Sequence, residues 1–297
     1  MSINAPSDVA PSPLVAQVLD GLSLRAGSFI VTIYGDVVEP RGGRLWMGAL
    51  IEICARVGIS ESLVRTAVSR LVAAGQLEGE RAGRRSFYGL TERARREFLA
   101  AAQIIFQPPP RPGWSLLWLP PELGDDAGSG LEKAGFARLA PRWYLGSGEA
   151  PVTGALVFSA NAQSGAALRA MAASHWDLAA EGLAYRDCLN RFGSIDQQFN
   201  AGQRLSPDEA LLLRLLLVHQ FRQAALRDPG LPPEALPNGW PGGPARQLFA
   251  RLYLALSTEA EARIAETFEG EDGPLPASSA ASERRAQTLR ASLAKPA

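Results

Sequence analysis

"ISESLVRTAVSRLVAAGQLEGERAGRRSFYGLTERAR", residues 59–95, decides how this chain is read. Val64, Ala67, Val68 and Leu71 recur at the three- and four-residue steps of one helical face, with Ser60 at the capping position, Glu61 in the first turn and Gly75 as the stop. The opposite side then carries Ser62, Arg65, Thr66 and Ser69, with Arg70 at its flank. It offers hydroxyls and guanidinium groups and no carboxylate beyond Glu61. "QLEGERAGRRSFYGLT" (76–91) follows, with Leu77 and Phe87-Tyr88 as strand fragments around Ala82-Gly83, a hairpin that brings Arg81, Arg84 and Arg85 together. Thr91 caps a further helix reaching to about Phe106.

Upstream, "FIVTIYGDVV" (29–38) and "RLWMGALIEICARVG" (44–58) carry helical apolar periods separated by "EPRGG" (39–43). The order over 25–106 is therefore helix, helix, helix, hairpin, helix. An α-helix fits the major groove of B-DNA, where arginine bonds guanine bidentately and Ser or Thr takes a base or a phosphate. A basic, Gly-turned hairpin suits phosphates or the minor groove. Together they predict a winged helix-turn-helix that binds double-stranded DNA through Ser62, Arg65, Thr66, Ser69, Arg70, Arg81, Arg84 and Arg85.

The charge balance agrees. The whole chain has thirty basic and thirty acidic residues, which excludes a uniformly basic, histone-like protein. Between Arg25 and Glu97, however, twelve arginines face eight acids, a local excess of four. Only Lys133 and Lys295 are lysines, so positive charge is nearly always a forked guanidinium. Cys54 and Cys188 stand far apart without CxxC or His spacing, which excludes a disulfide framework or a zinc site and fits a reducing cytoplasm. The start has neither a basic n-region nor an apolar h-region, and no run is long enough to span a membrane.

The expected organisation is a disordered extension over 1–24, the winged helix over 25–106, and a polyproline linker "QPPPRPG" over 107–113. Beyond it, "WSLLWL" (114–119), "RWYLGS" (142–147) and "GALVFSA" (154–160) read as strands, and "GLEKAGFARL" (130–139) and "SGAALRAMAAS" (164–174) as helices. These predict a small α/β sandwich over 114–175. A helical domain follows over 176–269, with Ser206-Pro207-Asp208-Glu209 as a capping box. The Ala/Ser/Pro-rich tail 270–297 reads as disordered. Trp240 in "NGWPG" reads as a turn plug, and Cys188 and His219 as core residues.

"LWMGALIEICARVGISESLVRTAVSRLVAAGQLEGERAGRRSFYGLTERA" (45–94), with "FIVTIYGDVV" before it, resembles the winged-helix domain of the PaaX family of bacterial repressors, which control phenylacetic acid degradation. "RDPGLPPEALPNGWPGGPARQLFARLY" (227–253) resembles that family's C-terminal run, with Ala235 where leucine is expected. The resemblance covers most of 28–264. It implies an α+β chain of three parts: a winged helix, a central ferredoxin-like domain similar to Cas2 proteins, and a helical C-terminal domain. It further implies a homodimer on inverted-repeat promoter DNA, released by an aryl-acetyl-CoA thioester, typically phenylacetyl-CoA.

Such an effector needs cationic donors for phosphates and an apolar slot for the acyl group. Arg138, Arg142, Arg186 and Arg222, with Trp143, Trp176 and Tyr185, are the candidates. No cofactor, metal or catalytic residue is expected. A Cas2-like nuclease would want a carboxylate at the end of the first central strand, but that strand ends in Pro120-Pro121, and Glu122, Asp125 and Asp126 fall in a Gly-rich loop. An acyl-CoA-sensing interaction module without DNA binding is the other alternative.

Overall fold

A computed structural model of the protein describes residues 11–108, 113–162 and 165–294. Its architecture is α+β, and it groups into two compact units. One comprises Met1–Gln107, Cys188–Arg222 and Arg246–Ala297; the other comprises Pro108–Asp187 and Gln223–Ala245. The helical region expected over 176–269 is thus divided between the two. Most of the expected linker, 109–112, lies outside the described residues, as do residues 1–10 of the N-terminal extension.

The first unit begins with α1 (Pro13–Leu19), α2 (Ala26–Ile33), a π-helical turn Tyr34–Val38 and a short 3-10 turn Glu39–Arg41, which Gly42 ends at φ 69°. A two-residue strand β1 (Leu45–Trp46) precedes α3 (Met47–Ala55) and α4 (Glu61–Ala73). Gly75 closes α4 in the left-handed region, φ 67°, and the amide of Gln76 reaches back to the carbonyl of Leu71. β2 (Leu77–Ala82) and β3 (Arg85–Leu90) form the hairpin, and β1 adds to its other side in the order β1-β3-β2. α5 (Glu92–Phe106) starts on Thr91, whose Oγ1 accepts from the amide of Ala94. Val64, Ala67 and Val68 are buried as their spacing requires, and α4 packs on α2 and α3.

In the second unit, β4 (Trp114–Trp118), α6 (Asp125–Lys133), β5 (Ala137–Ala140), β6 (Trp143–Ser147), β7 (Leu156–Ala160) and α7 (Gly165–His175) follow in order. Every pairing in the sheet is antiparallel, and the strand order is β5-β6-β4-β7. The connection from β4 to β5 runs through α6, while that from β6 to β7 has no helix. "GLEKAGFARL" is therefore not one helix. Gly135 at φ 88° ends α6, Phe136 turns into the core with Leu117 and Tyr144, and 137–140 is strand. Asp125 and Asp126 are not in a loop but form the first turn of α6, where carboxylates suit the helix dipole.

The remaining helices are α8 (Leu178–Asn200), α9 (Pro207–Ala225), α10 (Gly242–Thr267) and α11 (Ala280–Ala294). α9 opens on the expected box: Ser206 gives its amide and hydroxyl to Glu209, and Glu209 returns its amide to Ser206 Oγ. A short hairpin, β8 (Glu269–Gly270) with β9 (Gly273–Pro274), links α10 to α11. No helix among the described residues is long and apolar enough to cross a membrane.

Two segments expected to be disordered are ordered helices. α1 is capped by Ser12, buries Val15 and Val18, and is held by Arg191, which donates to the carbonyls of Val18 and Asp20. In the tail, Arg285 of α11 donates to Glu39 at 2.7 Å and to the carbonyl of Gly35, and covers the Phe106 ring at 4.6 Å. Residues 276–279 are strapped to the 3-10 turn by Arg41, which donates to the carbonyls of Pro276 and Ala277, and by Ser279, which donates to that of Pro40. These partners are remote in sequence, so low-hydrophobicity composition concealed the order.

Candidate nucleic-acid interface and ligand cleft

The first unit is stiffened beneath α4 by buried polar bonds. Asp36, in the π-helical turn, accepts from Arg214 Nε at 2.8 Å and from the Tyr253 hydroxyl at 2.9 Å. Thr32 of α2 meets His219 Nδ1 at 2.9 Å and accepts from Arg222 Nε at 2.9 Å. These bonds tie α2, on which α4 packs, to α9, and the π-helical turn after it to α9 and α10.

On that base, Ser62, Arg65, Thr66, Ser69 and Arg70 are all exposed on α4, and Arg81, Arg84 and Arg85 are all exposed at the hairpin. Not all of them are equally available. Arg65 is engaged with Glu61 one turn earlier, an exposed pair that contributes only about 0.3–0.5 kcal/mol and yields readily to a phosphate or a base. Thr66 donates to the carbonyl of Ser62, which leaves its oxygen lone pairs as the group it can offer. Arg85 pairs with Glu269 and lies over the Trp46 ring at 4.6 Å. Arg70, Arg81 and Arg84 have no ion-pair partner among the described residues. Ser60 occupies the capping position without a side-chain cap bond; its hydroxyl meets that of Ser62 at 3.1 Å.

The second unit holds a cleft of about 640 Å³, lined by His175, Trp176, Asp177, Gly182, Arg186, Asn238 and Trp240 among others. Trp176 is fixed by its indole N–H, which donates to the carbonyl of Gly135 at 2.8 Å. Trp240 stands edge-on to Tyr185, whose hydroxyl donates to Asp228 at 2.8 Å. Gly182 allows this arrangement: a Cβ there would lie 3.2 Å from the Trp240 ring and 3.5 Å from the Arg186 guanidinium. Asp177 is spent on capping the amide of Ala180. Indole faces, a guanidinium and an imidazole thus border one cavity of a size usual for small-molecule sites.

Of the candidate effector residues, the structure brings Trp176 and Arg186 to this cleft. Tyr185 supports Trp240 from behind and is buried. Arg138, Arg142 and Trp143 are on or beside the sheet and do not line the cleft: Arg142 donates to the carbonyl of Pro120, and Trp143 stacks on Phe158. Arg222 belongs to the other unit, where it donates to Thr32 and Ser28. His175, which the sequence suggests as a helix cap, ends α7 and borders the cleft, and Gly182 gave no signal because it lies inside the continuous helix α8. Trp240 was read only as a plug, and it does pack against the core around Trp114 and Leu178. His219 and Cys188 are buried as expected.

Residues 25–94 match the family described as PaaX-like protein, and residues 176–266 match the PaaX-like protein C-terminal domain. The chain is 32% identical to the transcriptional repressor PaaX of Escherichia coli (strain K12) over 286 residues, covering 89% of this chain and 90% of that protein. Among solved structures it is similar to the uncharacterized protein Rv0674 from Mycobacterium tuberculosis, at 20% identity and a TM-score of 0.43, over 72% of this chain and 89% of that one.

Proposed function

The chain belongs to the PaaX family, and from that premise we propose that it is a DNA-binding transcriptional repressor of a phenylacetate-type catabolic operon, a regulator and not an enzyme. It works in the cytoplasm as a homodimer on an inverted-repeat promoter site and is released by an aryl-acetyl-CoA thioester. The observation that carries the DNA reading is the exposed Ser62–Arg70 face of α4, opposite its buried Val64 and Val68, followed directly by a hairpin bearing three exposed arginines. In this reading α4 enters the major groove, and β2 and β3 form the wing. The second unit is a ferredoxin-like sheet of the Cas2 kind, a reading supported by its strand order and qualified by the missing second crossover helix.

The effector binds in the Trp176–Trp240 cleft, with the acyl group against the indoles and an anionic part on Arg186. Release follows from linkage. A thioester that binds more tightly to a conformation with misplaced α4 helices lowers DNA affinity by the same factor by which DNA lowers thioester affinity.

The test is fluorescence anisotropy of the protein on its own upstream promoter DNA at fixed salt, titrated with phenylacetyl-CoA and separately with free CoA. Release by the thioester alone is the expected result. DNA binding that ignores the thioester would sink the effector, and no DNA binding would return the interaction-module alternative.

A further inference from the structure

The acidic turn after α10 is built against Arg85, beside the turn of the hairpin, and Arg44, which precedes β1. Glu269 pairs with Arg85, whose guanidinium also covers the Trp46 ring. Glu271 lies 3.7 Å from Arg44, which also holds Glu78 at 3.0 Å and Glu80 at 2.9 Å on β2. Both arginines and both glutamates remain partly open to water. Local packing fixes the turn in place. Phe268 and Leu275 on either side of it are buried, and the amide of Leu275 donates to the carbonyl of Phe268 at 2.8 Å. At Gly270 the backbone passes so near β1 that a Cβ would stand 3.0 Å from the carbonyl of Arg44. Gly89 makes the matching room on β3, since a Cβ there would lie 2.9 Å from Arg44 Cγ. The family match ends at residue 266, before this turn begins.

A carboxylate on an arginine presents the same charge and the same paired oxygens as a DNA phosphate. We infer that Glu269 competes with DNA phosphate for Arg85, so that the C-terminal turn sets how strongly the hairpin holds the DNA backbone, while Arg44 stays neutralised by Glu78 and Glu80. This rests on the reading of β2 and β3 as a DNA-contacting wing. Free arginines at a phosphate release counterions on binding, whereas arginines already neutralised by carboxylates do not. The turn therefore lowers sequence-independent affinity and its salt dependence, leaving recognition to α4 and to Arg81 and Arg84, which have no ion-pair partner among the described residues.

The test is a double-mutant cycle on the full-length chain, with anisotropy on a random-sequence duplex over a series of salt concentrations. Glu269→Gln is expected to bind several-fold more tightly and to steepen the plot of log affinity against log salt by about 0.9, the value for one phosphate gained. In an Arg85→Ala background the same glutamate change is expected to do much less, because the competed group is gone. Unchanged or weaker binding by the glutamate variant overturns the inference. An equal gain in the Arg85→Ala background overturns it too, by reducing the effect to a general loss of negative charge. Absence of duplex binding by every protein, the unaltered chain included, removes the DNA reading itself and is thereby told apart.

Discussion

Arg214 Nε and Asp36 Oδ2 meet at 2.8 Å with both side chains wholly removed from water. Burial works against a charged guanidinium, yet Asp36, Tyr253 and Glu261 hold the Arg214 pKa above its ordinary value, so the guanidinium stays charged. Arg214 Nη2 has no hydrogen-bond partner among the described residues, and the guanidinium lies 5.0 Å from the Tyr253 ring centre. Asp36→Ala would leave this buried cation with only the more distant Glu261 carboxylate, at 3.3 Å, and about 3–5 kcal/mol of unfolding free energy should be lost. Replacing both residues with apolar ones of similar volume should cost less than the single change. Urea unfolding of the three proteins checks the order; a single variant no worse than the double one contradicts it.

His219 gives the first unit a pH dependence. Burial first, and the nearby Arg222 second, pull its pKa from 6.5 to about 4. The unfolded chain therefore takes up this proton at higher pH than the folded one. Stability is full above about pH 6.5 and falls as pH drops toward 4, by up to about 3 kcal/mol from this group. Unfolding measured near pH 7 and near pH 5 should show about 2 kcal/mol of that loss, and His219→Gln should reduce it. An identical pH profile in the variant would show that other groups carry the effect.

The two halves of the DNA face should respond differently. Arg70→Ala is expected to weaken binding to the operator by about 1–3 kcal/mol, and to random DNA by much less, if Arg70 reads a base. Arg84→Ala should weaken both alike and reduce the salt slope by about one. Measuring both variants on both duplexes distinguishes a base contact from a phosphate contact at each position.

Gly182→Leu tests the cleft without touching α4. The added side chain begins 3.2 Å from the Trp240 ring and fills the floor beside Arg186. DNA affinity without effector should be unchanged, while the thioester concentration needed for release should rise at least tenfold. Normal release by this variant places the effector elsewhere.

What was legible in the sequence was what short-range physics decides. The buried stripe of α4, the Ser206–Glu209 box and the Thr91 cap all lie within a few residues of their partners and were readable as patterns. β1 was missed because two residues carry no period, and it forms only by pairing Leu45 with Tyr88 and Trp46 with Phe87. The tail was misread because Arg285 and Ser279 find their partners about 240–250 positions away at Glu39, Gly35 and Pro40. Arg222 was misassigned for the same reason: its hydroxyl partner Thr32 stands 190 positions earlier. Exposure on the α4 face followed from helical spacing, but the pairing of Arg85 with Glu269 did not.

The measurement that bears most directly on the central claim is competition between the chain's own upstream promoter duplex and a random-sequence duplex for the unaltered protein, at one near-physiological salt concentration. A specific repressor should prefer the promoter by about 10³-fold or more. Equal affinity for the two duplexes, or affinity for neither, would contradict it.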